Sequence, residues 1–183
     1  RGPAGRFGGG VGRGEDGAAT GGALGAGLGR RRRGGGAEEG AGVLEAGRLG
    51  ATRIGHGVQI MQAAHAAQQA EWIAAAREMG LHFEVCPTSN VHTGAAASVA
   101  AHPLRAMAAA GLSASVSTDN RLMSGVKLSG ELQAVHEENG IPLATLAGMM
   151  REAARGTFMP TADRDHAIAA MQAWHTLPLP LPS

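Results

Sequence analysis

Three short stretches of the sequence end in polar side chains that could do chemistry, at residues 53–57, 84–90 and 117–120. Each is an apolar or β-branched run followed by a turn and an alanine-rich, helix-like stretch. His56, between two glycines, can act as a general base or hydrogen-bond a metal-bound hydroxide. Asp119 carries a carboxylate, and carboxylate oxygens are accepted zinc ligands. The structural alternatives are a hydrogen-bonded core histidine and an Asx turn or helix N-cap.

The elements that must position these groups follow the pattern of a parallel α/β enzyme. We predict strands at 53–56, 81–86 and 112–117, loops at 89–99 and 122–125, and helices at 62–79, 103–110, 127–139, 142–155 and 161–174. In a (β/α) barrel, reactive groups lie at the carboxyl ends of such strands. Parallel sheets need cover on both faces, so three βα units should be marginally stable unless other strands are supplied.

Glycine and proline mark the ends of these elements. Gly80, Gly111 and Gly140 stand where C-cap glycines belong at the ends of helices. Pro87 should stop the second strand, and Pro103 suits the first turn of a helix.

The first 47 residues differ in composition from the rest of the chain. Of the 30 glycines, 20 lie in residues 1–50, and all eight histidines lie after residue 50. Glycine and alanine bury too little apolar surface to offset the entropy of ordering, so we predict a disordered segment over 1–47, with weak helix over 38–49. The arginines at 30–33 are either a solvated tail or an anion-binding patch, and a frame error in GC-rich DNA is a third interpretation. The proline-rich residues 177–183 should be extended.

The overall charge and the cysteine content exclude several classes of protein. The net charge of +1 gives no indication of nucleic-acid binding, and no stretch is apolar enough to predict a membrane span. A single cysteine excludes an internal disulfide framework, a cysteine-rich zinc site and the P-C-x-x-C site of cytidine deaminases. The chain begins with Arg1 and shows no secretory signal, so we expect a cytoplasmic protein.

Taken together, the three stretches resemble the zinc-dependent adenosine deaminases. Residues 53–57 look like the sixth strand of that family, residues 84–90 like the seventh and residues 117–120 like the eighth. The resemblance covers roughly residues 49–174. It implies an α/β fold that is the C-terminal portion of a (β/α)8 TIM barrel, with a partial barrel domain over 48–176.

The resemblance also implies a reaction and a role for three residues. The family deaminates adenosine hydrolytically to inosine, a step of purine salvage. His56 would orient the zinc-bound water and balance its proton, and Asp119 would ligate the zinc ion. Asn120 stands where many members carry an aspartate that contacts the purine N7. Because N7 is an acceptor, an asparagine amide can donate to it directly.

The remaining candidate residues have structural interpretations. Cys86, before Pro87, is expected to be a buried and inert thiol. Ser89 and Asn90 either line a pocket or form a plain turn. The other histidines show no ligand spacing, and we expect a surface or structural role for each of them: His65, His82, His92, His102, His136, His166 and His175.

Two motifs that the family's zinc site needs do not occur in the sequence. They are an H-x-H on the first strand and an H-A-G-E on the fifth, whose glutamate is the proton donor. Catalytic zinc needs about three protein ligands, and Asp119 alone cannot hold it. The alternative to an enzyme is therefore an inactive, truncated or frame-shifted fragment, and we expect no adenosine turnover by the purified chain.

Overall fold

The computed structural model describes residues 36–176, and the side chains of residues 40–173. Three parallel strands form a sheet in the order β1-β2-β3: β1 is Arg53–Gly55, β2 is His82–Val85 and β3 is Ser113–Val116. A 3-10 helix spans Val58–Met61. The α-helices are α1 (Gly36–Arg48), α2 (Ala66–Glu78), α3 (Pro87–His92), α4 (Leu104–Ala109), α5 (Arg121–Ser124), α6 (Leu128–Glu137), α7 (Leu143–Arg155) and α8 (Thr161–Thr176). The α/β class and the three parallel strands confirm the prediction.

The two faces of the sheet differ because side chains alternate along each strand. Ile54, Phe83 and Ala114 are paired neighbours across the three strands, and all three are buried. They belong to one apolar cluster with residues of the surrounding helices, among them Val43, Leu44, Trp72, Ala76, Leu104, Met107, Leu146 and Met149. This face supplies the core of the described part of the chain.

The other face of the sheet is polar and is held by side-chain hydrogen bonds. Arg53 forms an ion pair with Glu84 on the neighbouring strand. The buried His82 ring lies 2.9 Å from the Ser113 hydroxyl and 3.0 Å from that of Ser115. These contacts tie β2 to both of its neighbours.

Helix ends fall close to the predicted positions. Gly80 and Gly111 follow α2 and α4 with φ of 65° and 71°, in the left-handed region that a side chain disfavours. Both glycines end their helices as predicted.

The structure differs from the prediction at two loops. The predicted loop at 89–99 begins with four residues of α3, which starts at Pro87. The amide and hydroxyl of Thr88 donate to the buried carboxylate of Glu131, at 2.7 and 2.5 Å. The predicted loop at 122–125 contains most of α5, which Asn120 caps. Both helices depend on single side chains rather than on a periodic pattern.

Helix α2 begins later than the predicted residue 62. The residues before it form the 3-10 helix Val58–Met61, which Gly57 precedes with φ 63°, and an irregular segment at 62–65.

Helix α1 extends into the segment that composition alone predicted to be disordered, and it agrees with the weak helix predicted at 38–49. Val43 and Leu44 are 2% and 5% exposed, and they belong to the core cluster. Burial against α2 supplies the stabilisation that the glycine-rich composition does not indicate. Residues 1–35, with the arginines at 30–33, and the tail 177–183 lie outside the described residues.

Candidate active site

His56 and Asp119 meet at the carboxyl-terminal edge of the sheet. His56 directly follows β1 and Asp119 follows β3 by three residues. The Nε2 atom of His56 lies 3.6 Å from Oδ2 of Asp119. The sequence thus brings its two leading candidates together, and their contact becomes an ion pair when the imidazole is protonated.

Both residues have an unusual backbone conformation. Among the described non-glycine residues, only His56 and Asp119 have a positive φ, at 59° and 54°. The left-handed conformation costs roughly 1–2 kcal/mol for a residue with a Cβ atom. Strain of this kind is concentrated at functional sites, where surrounding contacts hold it in place.

The turn at His56 is fixed by the strand beside it. The amide of His56 donates to the carbonyl of Glu84 at 2.9 Å and so extends the pairing of β1 with β2. At the next residue, Gly57, a Cβ atom would lie 2.6 Å from the Phe83 ring. The close approach of Gly57 to Phe83 therefore positions the imidazole over the end of the sheet.

The Asp119 carboxylate is held by a residue of α3, the helix that follows the neighbouring strand β2. Its Oδ2 accepts a hydrogen bond of 2.7 Å from the hydroxyl of Ser89, which is buried in α3. The amide of Ser117 donates to the carbonyl of Val85 at 2.8 Å and extends the β2–β3 ladder toward Asp119.

A second histidine reaches His56 through an asparagine. The Oδ1 atom of Asn90 lies 3.4 Å from Nδ1 of His56 and 3.2 Å from Nε2 of His102. The Nδ1 atom of His102 accepts a hydrogen bond of 3.1 Å from the backbone amide of Leu104. His102 is 3% exposed, and burial, with a smaller contribution from His56, lowers its pKa to about 4. His102 is therefore neutral at pH 7.

The loop that carries His102 is clamped by the side chain of Asn139. Its Nδ2 atom donates to the carbonyls of Val99, Ala100 and His102, at 3.0, 3.1 and 2.9 Å. Asn139 is itself buried, beyond the end of α6. This one amide fixes the position of the loop relative to the helix.

Asn120 is the N-cap of a helix, a role that the sequence analysis gave as an alternative for Asp119 and not for Asn120. Its Oδ1 accepts hydrogen bonds from the amides of Leu122 and Met123 at 3.1 and 3.2 Å, and so caps α5. The side chain is exposed. Its role in purine binding stays a prediction.

Cys86 has the buried position that the sequence predicted. It is 5% exposed, and burial together with the nearby charge of Asp119 raises its pKa to about 12. A thiol with this pKa is a poor nucleophile.

Among the described side chains, those of residues 40–173, no group of three or more histidine, cysteine, aspartate or glutamate residues is arranged to hold a metal ion. The described residues alone therefore do not form a zinc site. In the same part of the chain, no helix combines the length and the apolar character that crossing a membrane would require.

Sequence reasoning gave His102 no role near the site. Its neighbour Pro103 was a usable signal, because the residue before a proline is pushed out of the helical region and its ring can fold back over the helix start. The pairing of His102 with Asn90 depends on the intervening loop, which has no periodic pattern.

Comparisons with known proteins identify the family of the chain. A family model described as adenosine deaminase matches residues 20–174. The chain belongs to the adenosine deaminase family. The match includes α1 and residues 20–47 of the segment that composition predicted to be disordered.

Curated adenosine deaminases match over part of their length. The adenosine deaminase of Shewanella loihica is 38% identical over 122 residues, which are 67% of this chain and 35% of that enzyme. The adenosine deaminase of Mycobacterium bovis is 38% identical over 120 residues, which are 63% of this chain and 33% of that enzyme. The chain thus spans about a third of the length of these relatives.

Solved structures of a deaminase and of an amidohydrolase share the fold. An adenine deaminase from Arthrobacter aurescens superposes with a TM-score of 0.68 at 21% identity, covering 79% of this chain and 42% of that one. An amidohydrolase from Burkholderia ambifaria with bound zinc gives a TM-score of 0.61 at 22% identity, over 74% of this chain and 36% of the other. At these identities the likeness concerns the fold alone.

Proposed function

We propose that this chain carries the His56–Asp119 part of the active centre of an adenosine deaminase. The reaction would be hydrolysis at C6 of adenosine, which gives inosine and ammonia. The observation that carries the proposal is the 3.6 Å approach of His56 Nε2 to Asp119 Oδ2 at the carboxyl edge of a parallel sheet. The relatives at 38% identity, both named adenosine deaminase, support the choice of substrate.

The strands β1, β2 and β3 would be the sixth, seventh and eighth strands of a (β/α)8 barrel. The strands are parallel and lie in the sheet in the same order as in the chain, which supports this assignment, as does the position of the polar residues at the carboxyl ends. The polar face of the sheet, with Arg53, Glu84 and His82, would then face the barrel interior.

The proposed enzyme would use zinc, the ion that is bound in the Burkholderia ambifaria amidohydrolase. Asp119 is the described residue with a carboxylate suited to that ion, and the further ligands would come from outside residues 36–176. Such an ion supplies Lewis acidity and lowers the pKa of water.

The side chains of this chain would have three tasks. His56 would accept or donate a proton at Nε2, the atom that faces Asp119. Ser89 would hold the Asp119 carboxylate through its hydrogen bond of 2.7 Å. Asn120 would donate from Nδ2 to the purine N7, because its Oδ1 already accepts two amides of α5.

A chimeric enzyme tests the proposal. The matching 122 residues of the Shewanella loihica adenosine deaminase are replaced by those of this chain, and inosine formation is followed by liquid chromatography. We expect turnover of adenosine that falls by about 10²–10⁴-fold in kcat/KM with His56→Ala. Asp119→Ala should also reduce the zinc content measured by mass spectrometry.

The matched control is His92→Ala, since His92 is exposed at the end of α3. This variant should keep the turnover of the chimera. A folded chimera that binds zinc but leaves adenosine unchanged would overturn the proposal, and so would full activity in the His56→Ala variant.

A further inference from the structure

A continuous row of hydrogen-bonding groups runs from the first turn of α4 to His56. It passes from the amide of Leu104 to the His102 ring, then to Asn90 Oδ1, and then to His56 Nδ1. His102 and Asn90 are 3% and 2% exposed, so water has little access to the middle of the row. Each buried polar group in the row therefore needs a hydrogen-bond partner of the opposite kind, a donor for each acceptor.

The direction of the row is set at its backbone end. A backbone N–H can only donate, so His102 Nδ1 must be the unprotonated, accepting nitrogen. The ring is neutral at pH 7, since burial lowers the His102 pKa to about 4. In a neutral imidazole with an accepting Nδ1, the proton sits on Nε2. His102 Nε2–H therefore donates to Asn90.

The same logic continues through the asparagine. A donor at His102 Nε2 requires that Asn90 present its carbonyl oxygen and not its NH₂ group at this position. A carbonyl oxygen can only accept, so His56 Nδ1, 3.4 Å away, must carry a proton to bond to it. In the neutral ring this leaves His56 Nε2 with a lone pair, on the side that faces Asp119.

We propose that Asn90 and His102 are positioning residues that fix the tautomer of His56, with the proton on Nδ1 and the lone pair on Nε2. The Nε2 atom is then ready to take a proton at the end of the sheet that holds Asp119. The loop of His102 is kept in place by the three hydrogen bonds of Asn139. The catalytic value of this tautomer rests on the proposed function, but the tautomer itself does not.

Nitrogen NMR of the full 183-residue chain, labelled with ¹⁵N-histidine and measured above pH 8, tests the proposal without any turnover. The His56 signals are identified by their loss in His56→Ala. We expect the Nδ1–H form for His56 and the Nε2–H form for His102. Asn90→Leu should shift His56 toward the Nε2–H form that free histidine favours.

Conservative variants separate positioning from simple structural damage. Asn90→Asp keeps an accepting oxygen and should keep His56 in the Nδ1–H form. His102→Gln keeps a donor near the Nε2 position and should do the same, whereas His102→Leu should not. An Nε2–H form of His56 in the wild-type chain, or no change in a folded Asn90→Leu variant, would overturn the proposal.

The chimera adds a kinetic readout. Asn90→Leu should lower kcat by roughly 10–100-fold with little change in KM, the size of effect typical of groups that orient an active-site ligand. Asn90→Asp should recover most of this loss. If the chimera does not deaminate adenosine at all, the proposed function fails while the NMR result still decides the tautomer.

Discussion

At the scale of single residues, His56 and Asp119 both have a left-handed backbone conformation, which is unfavourable for residues with a side chain. Glycine adopts this conformation without a steric cost, while alanine pays it in full. The strain is therefore measurable by comparing two truncations of the same side chain.

We predict that Asp119→Gly is more stable than Asp119→Ala by roughly 0.5–1 kcal/mol in free energy of unfolding, because the steric cost in alanine, about 1–2 kcal/mol, is partly offset by the greater entropy that glycine loses on folding. Both variants lose the hydrogen bond from Ser89, so the difference isolates the backbone at φ 54°. Urea titrations followed by circular dichroism measure it. The same sign is expected for His56→Gly against His56→Ala.

The control is Ala106, an exposed residue within α4. Here Ala106→Gly should lower the free energy of unfolding by about 1 kcal/mol, the usual cost of glycine in a helix. Equal stability of the two Asp119 variants would mean that the left-handed turn stores no strain.

The sequence identified His56 and Asp119 but not Asn90 and His102, the groups that contact His56 on its Nδ1 side. His56 and Asp119 could be chosen because each is a reactive residue at or near the carboxyl end of a predicted strand. For Asn90 the sequence did not decide between a residue that lines a pocket and a residue of a plain turn. His102 was missed because its contact with Asn90 is made by the fold of residues 93–101, where no periodicity indicates which way the chain returns.

At the scale of elements, α1 shows how close packing compensates for a poor helix-forming sequence. Gly40 lies where α1 meets α2, and a Cβ atom there would overlap the ring of Trp72. Gly42 lies two residues along the same helix with open space around its Cα atom. A side chain at position 40 would therefore disturb the packing of α1, whereas a side chain at position 42 would not.

We predict that Gly40→Ala lowers the free energy of unfolding by roughly 1–3 kcal/mol, because Trp72 has to leave its buried position. The matched variant Gly42→Ala should raise it by about 0.5–1 kcal/mol through helix propensity alone. Thermal melting of both variants measures the difference. Equal changes of Tm would contradict the packing of α1 on α2.

The elements predicted best from the sequence are the ones whose pattern is local. The three strands and helices α2, α4, α6, α7 and α8 follow from apolar runs bounded by glycine or proline. Helices α3 and α5 were predicted as loops, since α3 needs the Glu131 carboxylate from α6 and α5 is a single capped turn. The glycine-rich α1 was underestimated because its partner Trp72 is remote in sequence.

At the scale of the whole molecule, buried neutral histidines make stability depend on pH. The pKa of His102 falls from 6.5 to about 4 on folding, chiefly because of burial. The pKa of His82, buried on the polar face of the sheet, is also lowered. The unfolded chain therefore binds protons at a higher pH than the folded chain does.

We predict that the free energy of unfolding changes little near pH 7 and falls as the pH drops from 6.5 toward 4. The part due to His102 is roughly 3 kcal/mol, from the difference between its two pKa values. Urea titrations between pH 7.5 and 4 measure the fall. His102→Gln, which cannot titrate, should reduce it by about that amount, and parallel curves for the two proteins would disprove it.

The clamp made by Asn139 has a consequence for the chemical lifetime of the protein. Asn139 is followed by Gly140, and an asparagine before glycine is readily attacked by the next backbone nitrogen, which closes a succinimide ring and releases ammonia. In the folded chain the three carbonyls that hold Nδ2 restrain the side chain against this attack. Each unfolding event removes the restraint, and the aspartate that forms would set a carboxylate against the same three carbonyl oxygens. Transient unfolding would thus lead to an irreversible covalent change, the deamidation of Asn139.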